Sequence, residues 1–564
     1  MQPRYSTRKW YILGMAVLLM LASRVLSAPA TGPLPDKKDR PKPLPKEIIT
    51  AWKKAGAEVG WMRVDPLGFC EFLPEKEGVA GDLPAFSIFD LSKDQLAKLP
   101  APEPAFGLNI HEPQETDAPL KELAGLKSLR SLALYGHWVT DARLKELAGL
   151  KNLHTLDLSA TKVTDAGLKE LAALKNLQAL HLDSTRVTGV GLKELAGLKT
   201  FRMLSLGNTE ATDAGLKGLA GLKSLQTLNL DATKVGDVGL KELSGLKHLR
   251  VLRLGSPNVT DAGLKELAGL KSLQTLYLSA RQVTDTGLKE LTGMTDLRSL
   301  KLDSTQVTDA GLKELAGMKD LQTLNLNFTQ VTGVGLKKLT GLEGLQRLDL
   351  YGTPVTDEGL KQLAALKDLQ TLNLSGTQVT DAGLKHLAGL KNLQFLNLDS
   401  TKVTDAGLKE LAGLKRLQGL ALARTEVTGV GLKELAGLNS LRGLSLYESR
   451  VNDDGFKEIA RLKSLQALDL YGTKVAGLKG MAGLKDLQSL NLHETGVTDV
   501  GLKELAGLKK LEFLDLGRTK VTDIGLKELA GLKSLQYLVL EGTGVTEAGR
   551  KELRKSLPGC QIGP

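Results

Sequence analysis

Any catalysis in this 564-residue chain would have to be run by seven histidines, two cysteines and aspartates that recur at regular intervals. The histidines (His111, His137, His154, His181, His248, His386 and His493) lie far apart, and none falls in an H-E-x-x-H phrase that would put two zinc ligands on one helix face. No G-x-S-x-G elbow and no C-x-x-C pair occurs. Cys70 and Cys560 have no histidine beside them in sequence to make a thiolate nucleophile. Gly189-Val190-Gly191 mimics the opening of a dinucleotide loop, but Glu194 stands where the third glycine belongs. The same variant returns at Gly333-Val334-Gly335 and Gly429-Val430-Gly431, which marks it as a change within a repeat and not a phosphate cradle. The residues therefore predict no enzyme, no cofactor and no metal centre.

The aspartates and aromatics point to binding instead. Asp157, Asp183, Asp231, Asp303, Asp349, Asp399, Asp469 and Asp515 fall on outward strand positions of a repeated phrase, spread along the stack and too dispersed to converge on a calcium ion. The formal charge is +11, and Arg4, Arg8, Lys9 and Arg24 account for four of it, leaving about +7 for the rest. With acids where a ligand would lie and lysines elsewhere, a nucleic-acid groove is not expected. Aromatics make up 4% of the chain, so their placement is informative. Tyr447, Tyr471 and His493 succeed one another at one repeat position, and Phe513 and Tyr537, preceded by Phe395, do so at another. Rigid exposed rings are common anchors of an interface, so these six form the candidate ligand-binding patch.

The element that must position them is a 24-residue phrase, LQFLNLDSTKVTDAGLKELAGLKR at 393–416, which recurs from Leu129 to Leu535. A fixed period headed by L-x-x-L-x-L predicts a stack of identical coils. In an extended LQFLNLDST, Leu396 and Leu398 share one face, and Phe395, Asn397 and Asp399 the other. Stacking pairs these segments as a parallel sheet. The Thr401 hydroxyl is placed to satisfy turn backbone, Thr404 or Asp405 to cap a short helix, and Leu408, Leu411 and Leu414 to bury its stripe. Gly407 and Gly413 are expected to permit tight turns. The lysines of GLKELAGLK, such as Lys409 and Lys415, read as a solvated helical face. The step from Leu465 to Leu487 is shorter because TKVAGLK lacks the Thr-Asp pair, which predicts a local irregularity.

These residues resemble leucine-rich-repeat proteins of the ribonuclease-inhibitor-like kind. V-T-D-x-G-L-K-x-L is similar to the I-T-D-x-G-L-x-x-L phrase of F-box-associated repeats and to the 24-residue coils of secreted bacterial leucine-rich-repeat proteins. The resemblance covers about residues 105–562. It implies an α/β solenoid, curved, with a parallel sheet on the concave face and short helices on the convex face. No F-box-like helical module precedes the array, and Thr401 stands where those repeats often carry cysteine, so a ubiquitin-ligase adaptor is a remote alternative.

The ends complete the organisation. Residues 1–30 combine a basic start, an apolar run from Trp10 to Ala22 and Ala28-Pro29-Ala30, the pattern of an export signal. Residues 31–46 form a proline-rich linker with nothing to bury. Residues 47–104 gather Trp52, Trp61, Phe69, Phe72, Phe86 and Phe89 and read as an N-terminal cap. The array of about nineteen coils occupies 105–556, and 557–564 close it. The two cysteines flank a stack of roughly 90 Å and are expected to remain separate thiols. The whole predicts a secreted, periplasmic or cell-surface protein that binds a protein partner on its concave sheet, with a cell-envelope component as one candidate. A structural spacer or a glycan and cell-wall binder is the alternative. No nucleic acid is expected, and membrane contact only through an uncleaved signal.

Overall fold

The computed structural model describes residues 42–65, 70–89, 95–111 and 120–563. The expected export signal and most of the linker lie outside these residues. The chain divides into two compact units, 42–307 and 308–563. The first holds twelve strands and the second eleven.

The first unit opens with helix α1 (Lys46–Lys54), then β1 (Glu58–Val64), β2 (Cys70–Pro74) and β3 (Leu83–Ile88). β1 runs antiparallel to both β2 and β3. β3 starts the parallel ladder with β4 (Phe106–Ile110) and β5 (Leu129–Leu134). Trp52 is fully buried and stacks on Phe86 at 4.2 Å, with Phe106 edge-on at 6.2 Å. Its indole N–H donates to Pro100 O at 3.0 Å, so the polar end of a buried ring is satisfied. Leu44 is also buried, against the expectation that the linker has nothing to bury. The reason is that α1 starts at Lys46, and the residues just before it must pack to hold its end.

From residue 155 onward each coil contributes a three-residue strand, as at Thr155–Asp157 and Phe395–Asn397. Leu396 and Leu398 are 2% and 0% exposed and point into the core. The ladder continues past the strand: the Leu398 N–H reaches Ala421 O at 2.9 Å, and Ser400, which turns left-handed, reaches Ala423 O at 2.7 Å. Among the described residues eleven non-glycine ones adopt this φ, including Ala232, Phe328 and Arg424. The Thr401 hydroxyl donates to Leu398 O at 2.6 Å, and Thr425, Thr473 and Thr519 repeat the bond on their own coils. The hydroxyl thus ties off a carbonyl left over where the chain leaves the sheet.

The Thr-Asp pair does more than cap a helix. Thr404 Oγ1 accepts the Ala406 N–H at 3.2 Å, a local cap. Its own N–H and hydroxyl donate to the Asp381 carboxylate of the preceding coil at 2.8 and 2.6 Å. The same clamp joins Asp237 to Thr260 and Asp499 to Thr522. It also explains the G-x-G variant: Gly189 and Gly191 donate their amides to Asp165 Oδ1 at 3.0 and 2.8 Å, so this loop holds a carboxylate of its own chain. Gly407 has an ordinary negative φ, contrary to its expected turn role. A Cβ there would lie 2.4 Å from Asp381 Oδ1, so glycine is needed to admit the clamp. Lys415 likewise is no free surface charge, since its Nζ caps Gly437 O of the next coil at 3.3 Å.

Asp381→Ala should cost about 1–2 kcal/mol, the worth of charge-assisted hydrogen bonds at a half-exposed position. Hydrogen exchange at the Thr404 amide should accelerate, and Asp381→Asn, which keeps one acceptor, should fall between. Unchanged protection at Thr404 in both variants would rule the clamp out as a stabilising element.

The shortened coil is irregular only on its helical side. Its strand, Ala467–Asp469, keeps register with its neighbours on both sides. Its helix shrinks to Met481–Gly483, entered through a left-handed Gly480. Asp453 still clamps forward, onto the amides of Ala476 and Gly477 at 2.7 and 2.8 Å. Two residues can therefore be lost without breaking the ladder.

Candidate binding face of the sheet

Three outward columns are available, at the positions of residues 395, 397 and 399. Tyr447, Tyr471 and His493 come together as expected. Their rings stack with centroids 4.6 and 5.1 Å apart and planes 15° and 9° from parallel. Parallel strands repeat every ~4.8 Å, so rings at one position of successive coils fall into stacking distance. The Arg424 guanidinium lies 5.2 Å from the Tyr447 centroid, closing one end of the stack. The other end is closed by Gly517, where a Cβ would come 2.3 Å from His493 Nδ1.

Two of the six residues are not exposed anchors. Phe513 is 3% exposed and His493 5%. Outward side chains one strand apart cover each other, and Phe513 sits between Ser489 and Tyr537. His493 Nδ1 is 3.2 Å from Asp515 Oδ1, so it works as a polar support under the tyrosines. Tyr447, Tyr471, Tyr537 and Phe395 are half-buried. Phe395 belongs to a different neighbourhood, beside Thr371 and Gly419 in the ladder.

The aspartates do not form an open acidic surface. Asp399 Oδ1 accepts the Ala423 N–H at 2.7 Å, and burial raises its pKa. Asp183 is raised for the same reason, and it accepts the Ser205 hydroxyl at 2.6 Å. Burial pushes Asp469 up to about 6, despite the Tyr471 amide and the Ser445 hydroxyl that favour its charged form. Asp231 and Asp349 pair with Arg253 and Arg347 at 2.6 and 2.7 Å. Amide and hydroxyl donors and these ion pairs engage most of the carboxylates that sequence places on the sheet. Among the described residues no group of three or more histidine, cysteine, aspartate or glutamate side chains could hold a metal ion.

Both cysteines are free thiols, and burial raises each to a pKa of about 11. At neutral pH they are protonated and poor nucleophiles. Cys70 Sγ lies 3.4 Å from Ser131 Oγ, so the β1–β2 hairpin reaches over the outward face of the first coils. Met62 does the same at Gly107, where a Cβ would sit 2.8 Å from the Met62 side chain.

Two aromatic clusters escaped the sequence reading. Phe89, His111 and Tyr135 stack in the first unit, with centroids 4.2 and 5.4 Å apart. Degenerate spacing before Leu129 hides that they share the Tyr447 position. Phe328 and Tyr351 meet edge-on at 4.6 Å and are 55% and 40% exposed, far more open than the tyrosine stack. The available signal was Phe328 itself, the one aromatic among the described residues at a left-handed position that other coils give to small or polar residues.

Comparison with known proteins agrees with this construction. Profiles of leucine-rich repeats match residues 149–172, 221–244, 245–268, 293–316 and 318–339, two-copy repeats match 367–413, and a further leucine-rich-repeat profile matches 485–545. No curated protein matches the chain in sequence. Among solved structures, a leucine-rich-repeat protein of Leptospira interrogans is 28% identical, covering 75% of this chain and 98% of its own, with a TM-score of 0.48. An internalin of Listeria monocytogenes is 26% identical, covering 53% of this chain and 82% of its own, with a TM-score of 0.44. With repeat profiles matched in both units and the strands between Leu129 and Val539 built on the inward leucines of the repeat, the chain is a leucine-rich-repeat protein.

Proposed function

We propose that the protein is an exported, non-enzymatic scaffold that holds a protein partner against the outward face of its 308–563 unit, with Tyr447 and Tyr471 at the contact centre. The observation that carries this is the change in one outward column. It holds Ser375, Asp399 and Ala423 and then two tyrosines on successive coils, stacked and pre-oriented. A spacer has no use for such a change. Arg424, Glu448, Glu494 and Arg518 surround the rings, and Arg424 and Glu448 pair at 2.6 Å. Tyrosine at the centre with a charged rim is the usual make-up of a protein interface. Rings already packed in place lose little entropy on binding. The export part rests on the basic, apolar and small-residue order of residues 1–30. Among the described residues no helix is long and apolar enough to cross a membrane. A cell-envelope component is therefore the first partner to seek.

Tyr447→Ser with Tyr471→Ser should weaken partner capture from an envelope extract at least about tenfold, the scale of losing two interface anchors. The melting temperature should move little. Capture equal to wild type would favour the spacer.

A further inference from the structure

The 308–563 unit carries a second surface, on the coils that begin before the tyrosine stack. Asn325, Asn373 and Asn397 stand in its middle outward column, in one register with Asp349. Each uses its side-chain oxygen to accept the amide two residues on, at 2.8, 3.0 and 2.8 Å. That bond fixes the side chain; the NH2 groups of Asn325 and Asn373 are left as donors with no partner among the described residues, whereas Asn397 also hydrogen-bonds the Asp399 carboxylate. Of the charges nearby, Arg347 and Asp349 pair at 2.7 Å, and the Asp399 carboxylate is held by the Ala423 amide and Asn397.

Aromatic rings flank this row. Phe328 and Tyr351 are the exposed pair described above. A Cβ on Gly352 would lie 2.8 Å from Phe328 Cδ1, one on Gly376 3.3 Å from Tyr351 Cε2, and one on Gly419 2.8 Å from Phe395 Cδ1. Each ring thus rests on a glycine of the next coil, backed by main chain on one side. Phe328 holds its place at a φ of 55°, which a bulky side chain adopts only at a cost.

We propose that the Asn325–Asn397 row, with Phe328, Tyr351 and Phe395, binds a neutral linear polysaccharide laid across the strands. Uncharged amide donors suit hydroxyl and ring oxygens. Aromatic faces suit the C–H faces of pyranose rings. With Arg347 already paired to Asp349 and the Asp399 carboxylate alongside, a polyanion is disfavoured. The repeat also fits. Strands recur every ~4.8 Å, and a linear pyranose chain advances by a similar length per ring, so successive sugars meet equivalent coils. An extended peptide advances by about 3.4 Å per residue and falls out of step with the row.

The test is a panel of neutral linear hexasaccharides (β-linked glucose, mannose, xylose and N-acetylglucosamine) titrated calorimetrically into the full-length protein. At least one should bind, more tightly than its own disaccharide and equally between 0.05 and 0.5 M salt. Phe328→Gly with Tyr351→Ser should weaken it tenfold or more, and Asn373→Ala severalfold. Val500→Ser, on the helical side, should leave it unchanged. Glycine is the residue best suited to a φ of 55°, so the double variant should fold, as a thermal melt would show. Three results would overturn the proposal: no panel member binds, binding survives the double substitution, or only anionic polymers bind and are lost in salt. If the double substitution instead removes a captured protein while no sugar binds, the rings belong to a protein contact and the proposal fails.

Discussion

Leu396→Ala should cost about 2–5 kcal/mol, whereas Thr401→Val should cost about 1–2. Leu396 is 2% exposed on the inner face of its strand, flanked in register by Leu372 and Leu420. Truncation leaves a cavity that neighbouring coils cannot fill, because each is pinned by its own ladder bonds and clamp. Thr401→Val keeps the volume and loses one hydrogen bond to the Leu398 carbonyl. Stability in a repeat array is roughly a sum of coil and neighbour terms, so either loss should be local. Denaturant midpoints, with hydrogen exchange over 393–416, would measure both. Equal losses would mean that closing the turn matters as much as filling the core.

Asp469→Asn should stabilise the protein at neutral pH by about 3 kcal/mol and have almost no effect near pH 4. Burial raises this carboxyl from 3.8 to about 6. A raised folded pKa means that the folded chain holds the proton more tightly than the unfolded one. The resulting stabilisation is complete below the unfolded value and is lost as pH rises through the folded value. Above about pH 6 the folded state carries a buried carboxylate, with Asp399 and Asp515 adding repulsion. Asparagine keeps the acceptor for the Tyr471 amide, at 3.1 Å in the parent, without the charge. Denaturant melts of parent and variant at pH 4 and pH 7.5 decide the matter. A gain of equal size at both pH values would show that charge burial is not its source.

The coil itself was legible because its determinants are local and repeated. Leucine spacing set the inward face, and Thr401 was correctly assigned to the turn. The cross-coil partners were not legible in the same way. Asp381 and Thr404 are 23 residues apart, and nothing in a single phrase says that the aspartate of one copy serves the threonine of the next. Gly407 looked like a turn glycine because its true constraint, the oxygen of Asp381, belongs to another coil. Lys415 looked solvated for a similar reason: Gly437 O is a whole coil away.

The candidate site divides along the same line. Alternation along a strand decides which residues face outward, so the sequence alone placed Tyr447, Tyr471 and His493 in one column. Exposure within a column depends on what the next strand carries ~4.8 Å away, and only the tertiary structure decides that. It covers Phe513 and His493 and buries Asp469 enough to move its pKa. It leaves Phe328 and Tyr351 open, since the residues that would have covered them are Gly352 and Gly376. The repeat determined the fold and the facing of every outward residue, because period and alternation are properties of the chain. Which of those residues a ligand can touch was decided by neighbours in space, because solvent contact is a property of the stacked coils.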